Sequence, residues 1–142
     1  MALDGIFLYH LKNEISAFAV GARVEKIHQP SKEELLFSIR SREGARKLLL
    51  SCRADTAGIY FTDYPVENPS KPPMLCMLLR KHLSGAKILA FEQDGLERIV
   101  RIKMQAVNEL GDLVSYTLAV EIMGRYSNII LIDQNGKIVD AL

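Results

Sequence analysis

The stretch that decides the fold runs from residue 22 to residue 62 and reads ARVEKIHQPSKEELLFSIRSREGARKLLLSCRADTAGIYFT. It contains four short runs in which apolar and polar residues tend to alternate, separated by polar or Gly-containing segments. Alternation with a period of two is typical of strands with one buried face, and short connections favour antiparallel pairing. The four predicted strands are residues 22–28, 34–40, 46–52 and 58–62.

The second half of the chain repeats this pattern of short runs. An Asn-Gly pair at 135–136, which suits a two-residue hairpin turn, precedes the last run. The runs are residues 87–93, 98–105, 113–123, 128–133 and 137–139.

Two segments predict helices instead. Apolar residues recur at three- and four-residue steps from Asp4 to about Val20, and Gly21 is a plausible end for that helix. Pro72-Pro73 leads into Met74–Leu83, where proline fits the first helical turn. We therefore expect an α+β fold, a mostly antiparallel β-sandwich of about eight strands with two packed helices.

Composition indicates one globular domain in a reducing compartment. The chain has 142 residues, 49% of them hydrophobic and 25% charged, and no apolar run reaches the roughly 20 residues of a membrane helix. The start lacks the basic segment of a secretory signal. Cys52 and Cys76 stand far apart, which argues against a disulfide framework. We expect a cytoplasmic protein without a membrane anchor.

Motifs for catalysis, metals or cofactors are absent from the sequence. It has no glycine-rich phosphate loop and no G-x-S-x-G nucleophile elbow. His10, His28 and His82 stand singly, without metal-like spacing. We expect no catalytic residues, no metal and no cofactor, and therefore a function based on binding.

Charge is unevenly distributed although the formal net charge is only +1. Residues 23–53 hold eight bases against four acids, whereas residues 109–142 hold five acids against two bases. Two interpretations stay open. The basic part faces a polyanion, or these are solvated strand faces whose charges balance in three dimensions.

Several charged residues are candidates for contacts with a ligand. Asp4 opens the first helix, where it either caps the free N–H groups or reads a base. Arg80 and Lys81 lie near the end of the second helix, where they either complement its dipole or meet phosphates. Glu97 and Arg98 lie at the entry to a strand. They form either a surface ion pair or contacts with a ligand, in which Glu97 binds a base edge and Arg98 binds a phosphate or stacks on a base.

The segment from Glu121 to Leu131 carries a further candidate, Arg125, with Tyr126 beside it as an aromatic on which a base can stack. A tight corner inside a sheet explains the same residues. Since a polyanion needs contiguous positive surface, we expect Arg80, Lys81 and part of the basic set in residues 23–53 to lie on the same side as the turn that carries Glu97 and Arg98.

These stretches together resemble the N-terminal (NFACT-N) domain of the NFACT family, in its bacterial branch. The resemblance runs from near residue 3 to near residue 140, and the proline-led helix and the EIMGRYSNIIL stretch are its most specific parts. The matching segments are LDGIFLYHLKNE, KIHQPSKEELLFSIR, KLLLS, ENPSKPPMLCMLLRKHLSG, LERI and VEIMGRYSNIILID.

The resemblance implies a role in ribosome-associated quality control. Family members bind large ribosomal subunits that hold stalled peptidyl-tRNA and recruit tRNA, alanyl-tRNA in bacteria, for an untemplated C-terminal tail. Residues 1–142 would then be the NFACT-N domain of a larger multidomain protein. The family's functional aspartate falls on Asp4 and its Asp-Arg pair on Glu97 and Arg98, so this chain has a longer carboxylate side chain in the pair.

Two other functions are alternatives. One is an adhesin that binds fibronectin or fibrinogen, as a name used in the family states. The other is a glycosylase, because the family's fold resembles the N-terminal domain of formamidopyrimidine-DNA glycosylases. Those enzymes use an N-terminal proline followed by glutamate, whereas this chain begins Met1-Ala2-Leu3. We therefore expect no glycosylase activity.

Overall fold

The computed structural model describes residues 5–63 and 69–142. Two α-helices, nine β-strands and one short 3-10 helix occur in these ranges. In chain order they are α1 (Gly5–Ala19), β1 (Arg23–Ser31), β2 (Glu34–Ser41), β3 (Gly44–Ser51), β4 (Gly58–Thr62), α2 (Met74–Leu83), β5 (Lys87–Glu92), β6 (Ile99–Val107), β7 (Leu113–Glu121), the 3-10 helix (Gly124–Tyr126), β8 (Asn128–Ile132) and β9 (Ile138–Ala141).

The strands form one antiparallel sheet with the order β4-β3-β2-β1-β5-β6-β7-β8-β9. Each of the eight neighbouring pairs is antiparallel. All but one of these pairs join consecutive strands, so hairpins account for nearly all of the connectivity. The predicted α+β class with antiparallel strands is confirmed, with nine strands in place of about eight.

The sheet consists of two halves that meet at a narrow junction. β1 and β5 share a single residue pair, Arg23 with Lys87. Hydrogen bonds from Val24 N–H to the Ala86 carbonyl (2.9 Å) and from Ile88 N–H to the Ala22 carbonyl (2.9 Å) extend it by only a few residues. Buried residues from both halves belong to one hydrophobic cluster, so the halves share a core.

Alternating burial explains why the sequence pattern predicted the strands. Along most of β6 every second residue is buried, and Val100, Ile102, Met104 and Ala106 form its core face. Side chains on a strand point alternately to the two faces, so this pattern buries one face only.

The helices pack on the sheet through apolar residues at helical spacing. α1 buries Leu8 and Ile15 and contacts β2, β4 and β5. It ends two residues before Gly21, whose φ of 89° is in the region that favours glycine. α2 buries Leu79 and Leu83 among others and contacts β1, β6 and β9. Each helix therefore touches both halves of the sheet.

Several predicted strand bounds differ from the observed ones by one to three residues, and two of these differences have a clear physical reason. β1 continues past His28 to Ser31, because its pairing with β2 is irregular there and Pro30 does not have to donate a ladder hydrogen bond. β7 ends at Glu121 and not at residue 123, since the chain turns there into the 3-10 helix, which begins at Gly124 with a φ of 59°.

Candidate functional site

The turn between β5 and β6 presents the two central candidates. Glu97 and Arg98 lie in this turn with exposed side chains. Gly95 has a φ of 58°, and the Glu97 N–H donates to the Asp94 carbonyl (3.1 Å), which closes the turn. An ion pair between Arg101 and Asp94 (3.1 Å) ties the turn to the neighbouring strand.

The start of α1 lies directly against this turn. The Gln93 side-chain amide donates to the carbonyl groups of Gly5 (3.2 Å) and Glu97 (2.6 Å) and so joins the two segments. A Cβ atom on Gly5 would overlap the Leu96 carbonyl group, so only glycine fits at this helix position. Asp4, the residue before Gly5, lies outside the described residues, and its role stays a prediction.

The corner after β7 lies at the same end of the sheet. The Ile122 N–H donates to the Arg98 carbonyl (2.8 Å), so the chain enters the corner beside the β5–β6 turn. The Ser127 hydroxyl donates to the Gly124 carbonyl (2.6 Å) and accepts from the Met123 N–H (2.9 Å), which fixes the corner.

Arg125 projects from this corner next to an aromatic ring. Its Nη2 donates to the Tyr126 hydroxyl (3.0 Å), and its guanidinium carbon lies 5.0 Å from the ring centroid. Both side chains are exposed. The structure therefore brings Glu97, Arg98 and Arg125 to one end of the sheet, together with an exposed ring that a base can stack on.

Neither Glu97 nor Arg98 forms an ion pair within residues 5–63 and 69–142. The surface ion pair that was the alternative explanation of this dipeptide is thus not formed there. Other exposed charges are paired, as Arg40 is with Glu25 (3.1 Å). A carboxylate and a guanidinium without intramolecular partners keep their hydrogen-bonding capacity for a ligand.

Arg80 is half-buried and makes two contacts with β1. Its Nε donates to the Ile27 carbonyl (2.7 Å), and its Nη2 donates to Nδ1 of His28 (3.2 Å). Burial, followed by the charges of Arg80, Lys26 and Lys47, lowers the pKa of His28 below its ordinary value. His28 is therefore neutral at pH 7, and its Nδ1 accepts while Nε2 carries the proton.

Lys81 lies at the far end of β6 from Arg98. It lines a cavity with Val107 and Leu110, whereas Arg98 directly precedes the first residue of β6. β6 has nine residues, so eight steps of ~3.3 Å separate its first and last residues by about 26 Å. The expected common surface is therefore wrong for Lys81, although its role as a phosphate contact stays a prediction. Tertiary packing of α2, which sequence does not reveal, sets its place.

The basic segment 23–53 is partly neutralised within the fold. Besides the Arg40–Glu25 pair, Arg46 stacks over Phe61 with 3.7 Å between its guanidinium carbon and the ring centroid. The ion pair favours a balanced strand face at Arg40, whereas stacking on a neutral ring leaves the charge of Arg46 in place.

Both cysteines, Cys52 and Cys76, are buried and free. Burial, with smaller effects from Glu33 and Glu121, raises the pKa of Cys52 to about 12. Burial also raises the pKa of Cys76. A thiol with a raised pKa is a poor nucleophile at neutral pH.

Two other kinds of feature do not occur in residues 5–63 and 69–142. No group of three or more His, Cys, Asp or Glu residues in those ranges has a geometry that can hold a metal ion. No helix there has the length and apolar character needed to cross a membrane.

Sequence reasoning missed Gln93 and the close packing of Gly5. A polar residue at a strand end and a glycine in a helix have many ordinary explanations, and only the three-dimensional arrangement shows that they join α1 to the β5–β6 turn. The one available signal was Gly5 itself, since glycine inside a helix is unfavourable without a packing reason.

A family model described as the NFACT N-terminal and middle domains matches residues 4–142. The chain belongs to the NFACT family. A curated NFACT relative, the Rqc2 homolog RqcH of Bacillus subtilis, is 46% identical over the whole chain, and RqcH of Streptococcus pneumoniae is 41% identical. The human ribosome quality control complex subunit NEMF is 26% identical over 91% of the chain.

The chain spans about a quarter of the length of the two bacterial relatives, 25% and 26%, and 11% of NEMF. Among solved structures, the N-terminal domain of fibronectin-binding protein PavA from Streptococcus pneumoniae matches with a TM-score of 0.94 and 42% identity. The match covers 97% of this chain and 52% of the PavA chain. The N-terminal part of a fibronectin/fibrinogen-binding protein from Streptococcus suis matches with a TM-score of 0.95, 40% identity and coverages of 99% and 53%.

Proposed function

We propose that this NFACT chain is the N-terminal, tRNA-binding domain of a longer cytoplasmic ribosome quality control factor. The longer protein would bind large ribosomal subunits that hold stalled peptidyl-tRNA and recruit alanyl-tRNA for untemplated C-terminal tailing. The names of the RqcH and NEMF relatives support the link to ribosome quality control. The function of this domain would be binding and not catalysis.

The observation that carries the proposal is the turn between β5 and β6. It holds Glu97 and Arg98 exposed and without ion-pair partners among the described residues. The turn packs against the start of α1, which Asp4 directly precedes in the sequence. A carboxylate accepts hydrogen bonds from base amino groups, which gives selectivity. A guanidinium pairs with phosphate or stacks on a base, which gives affinity.

Arg125 and Tyr126 extend this interface at the same end of the sheet. Arg125 supplies a second exposed cation, and the Tyr126 ring, 71% exposed, offers a surface for an unstacked base. Arg80 and Lys81 would contact phosphates elsewhere on the ligand, since tRNA is large enough to reach beyond one end of the domain.

The test is tRNA co-purification and tail synthesis by the full-length protein carrying Asp4→Ala, Glu97→Ala or Arg98→Ala. We expect each variant to lose tRNA while keeping the wild-type melting temperature. We expect Glu97→Asp to retain it, because that change restores the Asp-Arg pair usual in the family. Wild-type tRNA occupancy in all three alanine variants would overturn the assignment of this site.

A second function, binding of fibronectin or fibrinogen, is favoured by the names of the matching structures. Immobilised fibronectin tests it with the same proteins. Fibronectin binding that is unchanged in Arg98→Ala would assign fibronectin to another surface. No fibronectin binding by the wild-type protein at micromolar concentration would exclude this function.

A further inference from the structure

Three cations lie side by side where the two halves of the sheet meet. Arg23 on β1 is paired directly with Arg40 on β2 and with Lys87 on β5. Directly paired residues project from the same face of a sheet. Val24 and Ile88, the next residues of β1 and β5, are buried in the core. The three cations, which we call the junction row, therefore point away from the core, and all of them are exposed.

The junction row is a destabilising arrangement for the sheet alone. Like charges directly opposite each other on neighbouring strands weaken the pairing of those strands. Arg23 and Lys87 are moreover the single residue pair that β1 and β5 share. The repulsion therefore acts where the ladder is shortest, and an anion bound to both side chains would relieve it.

The fold compensates these charges only in part. The Nε of Arg40 donates to a carboxylate oxygen of Glu25 (3.1 Å), but an ion pair between such exposed side chains contributes little. The Nη1 of Arg23 donates to the Gly85 carbonyl (3.1 Å), which uses one of the five N–H groups of the guanidinium. Lys87 forms no ion pair and no side-chain hydrogen bond with residues 5–63 or 69–142.

Two lysines extend the positive charge along the same face. Ser38, two residues before the β2 member of the junction row, is paired with Lys26 on β1 and with Lys47 on β3. Both lysines are exposed, and neither has an ion-pair partner in the part of the chain that the structure describes. Glu25 and Asp63 are the acids that line the cleft beside them. Five cations on four neighbouring strands thus leave this face with an excess of positive charge.

We propose that the phosphodiester backbone of RNA lies across β2, β1 and β5, with Arg23 and Lys87 in contact with its phosphates. A guanidinium binds a phosphate through paired hydrogen bonds, and a lysine ammonium binds one as a point charge. The choice of RNA rests on the proposed function. The surface is separate from the Glu97–Arg98 turn, which follows the end of β5 that lies five strand steps, or about 16 Å, from Lys87.

Lys87→Glu separates binding from folding. The substitution turns repulsion with Arg23 into attraction, so we expect the melting temperature to stay or rise. The affinity for a labelled oligouridylate, measured by fluorescence anisotropy, should fall at least five-fold. Lys32→Glu is the matched control, because it makes the same charge change on an exposed lysine in the turn at the other end of β1. Unchanged affinity in Lys87→Glu, or an equal loss in Lys32→Glu, would overturn the proposal.

The salt dependence of binding reports phosphate contacts directly. Lys87→Gln leaves the hydrogen bond from Arg23 to Gly85 in place and should reduce the magnitude of the slope of log K against log salt concentration by about 0.7. At 0.1 M salt this change corresponds to about five-fold weaker binding. The double variant Arg23→Gln/Lys87→Gln should reduce the slope by about 1.4, which is two contacts. An unchanged slope in both variants would contradict the phosphate contacts.

An acidic peptide is the other polyanion that such a face can bind. We expect oligouridylate to bind more tightly than polyglutamate with the same number of charges, because release of condensed counterions favours nucleic acid. Tighter binding of polyglutamate would overturn the assignment to RNA.

Lys87→Glu and Arg98→Ala distinguish this inference from the proposed function. If Arg98→Ala weakens tRNA binding and Lys87→Glu weakens binding of neither RNA, the junction row is not a binding surface and the proposed site stands. If Lys87→Glu weakens RNA binding and Arg98→Ala leaves tRNA binding unchanged, the proposed site is wrong and the junction row stands.

Discussion

Gln93→Leu tests the contact between α1 and the β5–β6 turn. The substitution removes hydrogen bonds of 3.2 Å to the Gly5 carbonyl and 2.6 Å to the Glu97 carbonyl. A hydrogen bond contributes about 0.5–1.5 kcal/mol net, and water can reach the exposed Glu97 carbonyl in the variant. The buried Oε1 of Gln93, which has no partner, also disappears. These effects together predict a loss of about 1 kcal/mol in the free energy of unfolding.

A loss of that size lowers the melting temperature of a domain of this length by about 3 °C. The larger expected effect is on the turn, whose amides at 94–98 should exchange with solvent faster, and on tRNA affinity, which should fall several-fold. Gln105→Leu is the matched control, since Gln105 lies on the adjacent strand β6 and makes no side-chain hydrogen bond within the described residues. Wild-type exchange at the turn together with wild-type tRNA affinity in Gln93→Leu would refute the reasoning.

Three further changes have expected outcomes. Gly5→Ala should destabilise the fold by about 1–3 kcal/mol in urea unfolding, because the added methyl group overlaps the Leu96 carbonyl, and unchanged stability would contradict that packing. Cys52 should resist iodoacetamide at pH 8 until the chain is unfolded, because burial raises its pKa to about 12, and rapid alkylation of the native chain would contradict this. The lowered pKa of His28 means that the unfolded chain takes up a proton first, so stability should fall as the pH drops below the unfolded pKa of about 6.5. His28→Gln should remove that part of the pH dependence of urea unfolding, and an identical dependence would contradict the assignment.

Periodicity made most of the fold predictable from the sequence. β6 is the clearest case, because residues 99–106 alternate between a half-buried and a buried environment and so carry a period of two in their letters. The end of β1 was harder, since Pro30 normally ends a strand and here lies in an irregular part of the ladder. The change of direction after Glu121 depends on the 3-10 helix, and the sequence of residues 124–126 does not predict that helix.

The candidate site was only partly predictable. Glu97, Arg98 and Arg125 came from the sequence, and the structure brings them to one end of the sheet. Long-range packing decides the rest: α2 carries Lys81 to the opposite end of β6. The sequence showed the excess of bases in residues 23–53 but not the junction row, because only the pairing of β1 with β2 and β5 places its members side by side.

The measurement that tests the central claim most directly is the equilibrium affinity of tRNA for the wild-type chain and for Arg98→Ala. Lys137→Ala is the matched control, because this exposed cation lies in the turn after β8, at the end of β8 remote from Asn128 and the corner that carries Arg125. We expect Arg98→Ala to weaken binding roughly ten- to hundred-fold. It should also reduce the magnitude of the slope of log K against log salt concentration by about 0.7 if the contact is to a phosphate of single-stranded RNA. Lys137→Ala should leave both unchanged. Equal tRNA affinity for the wild-type chain and Arg98→Ala would contradict the account.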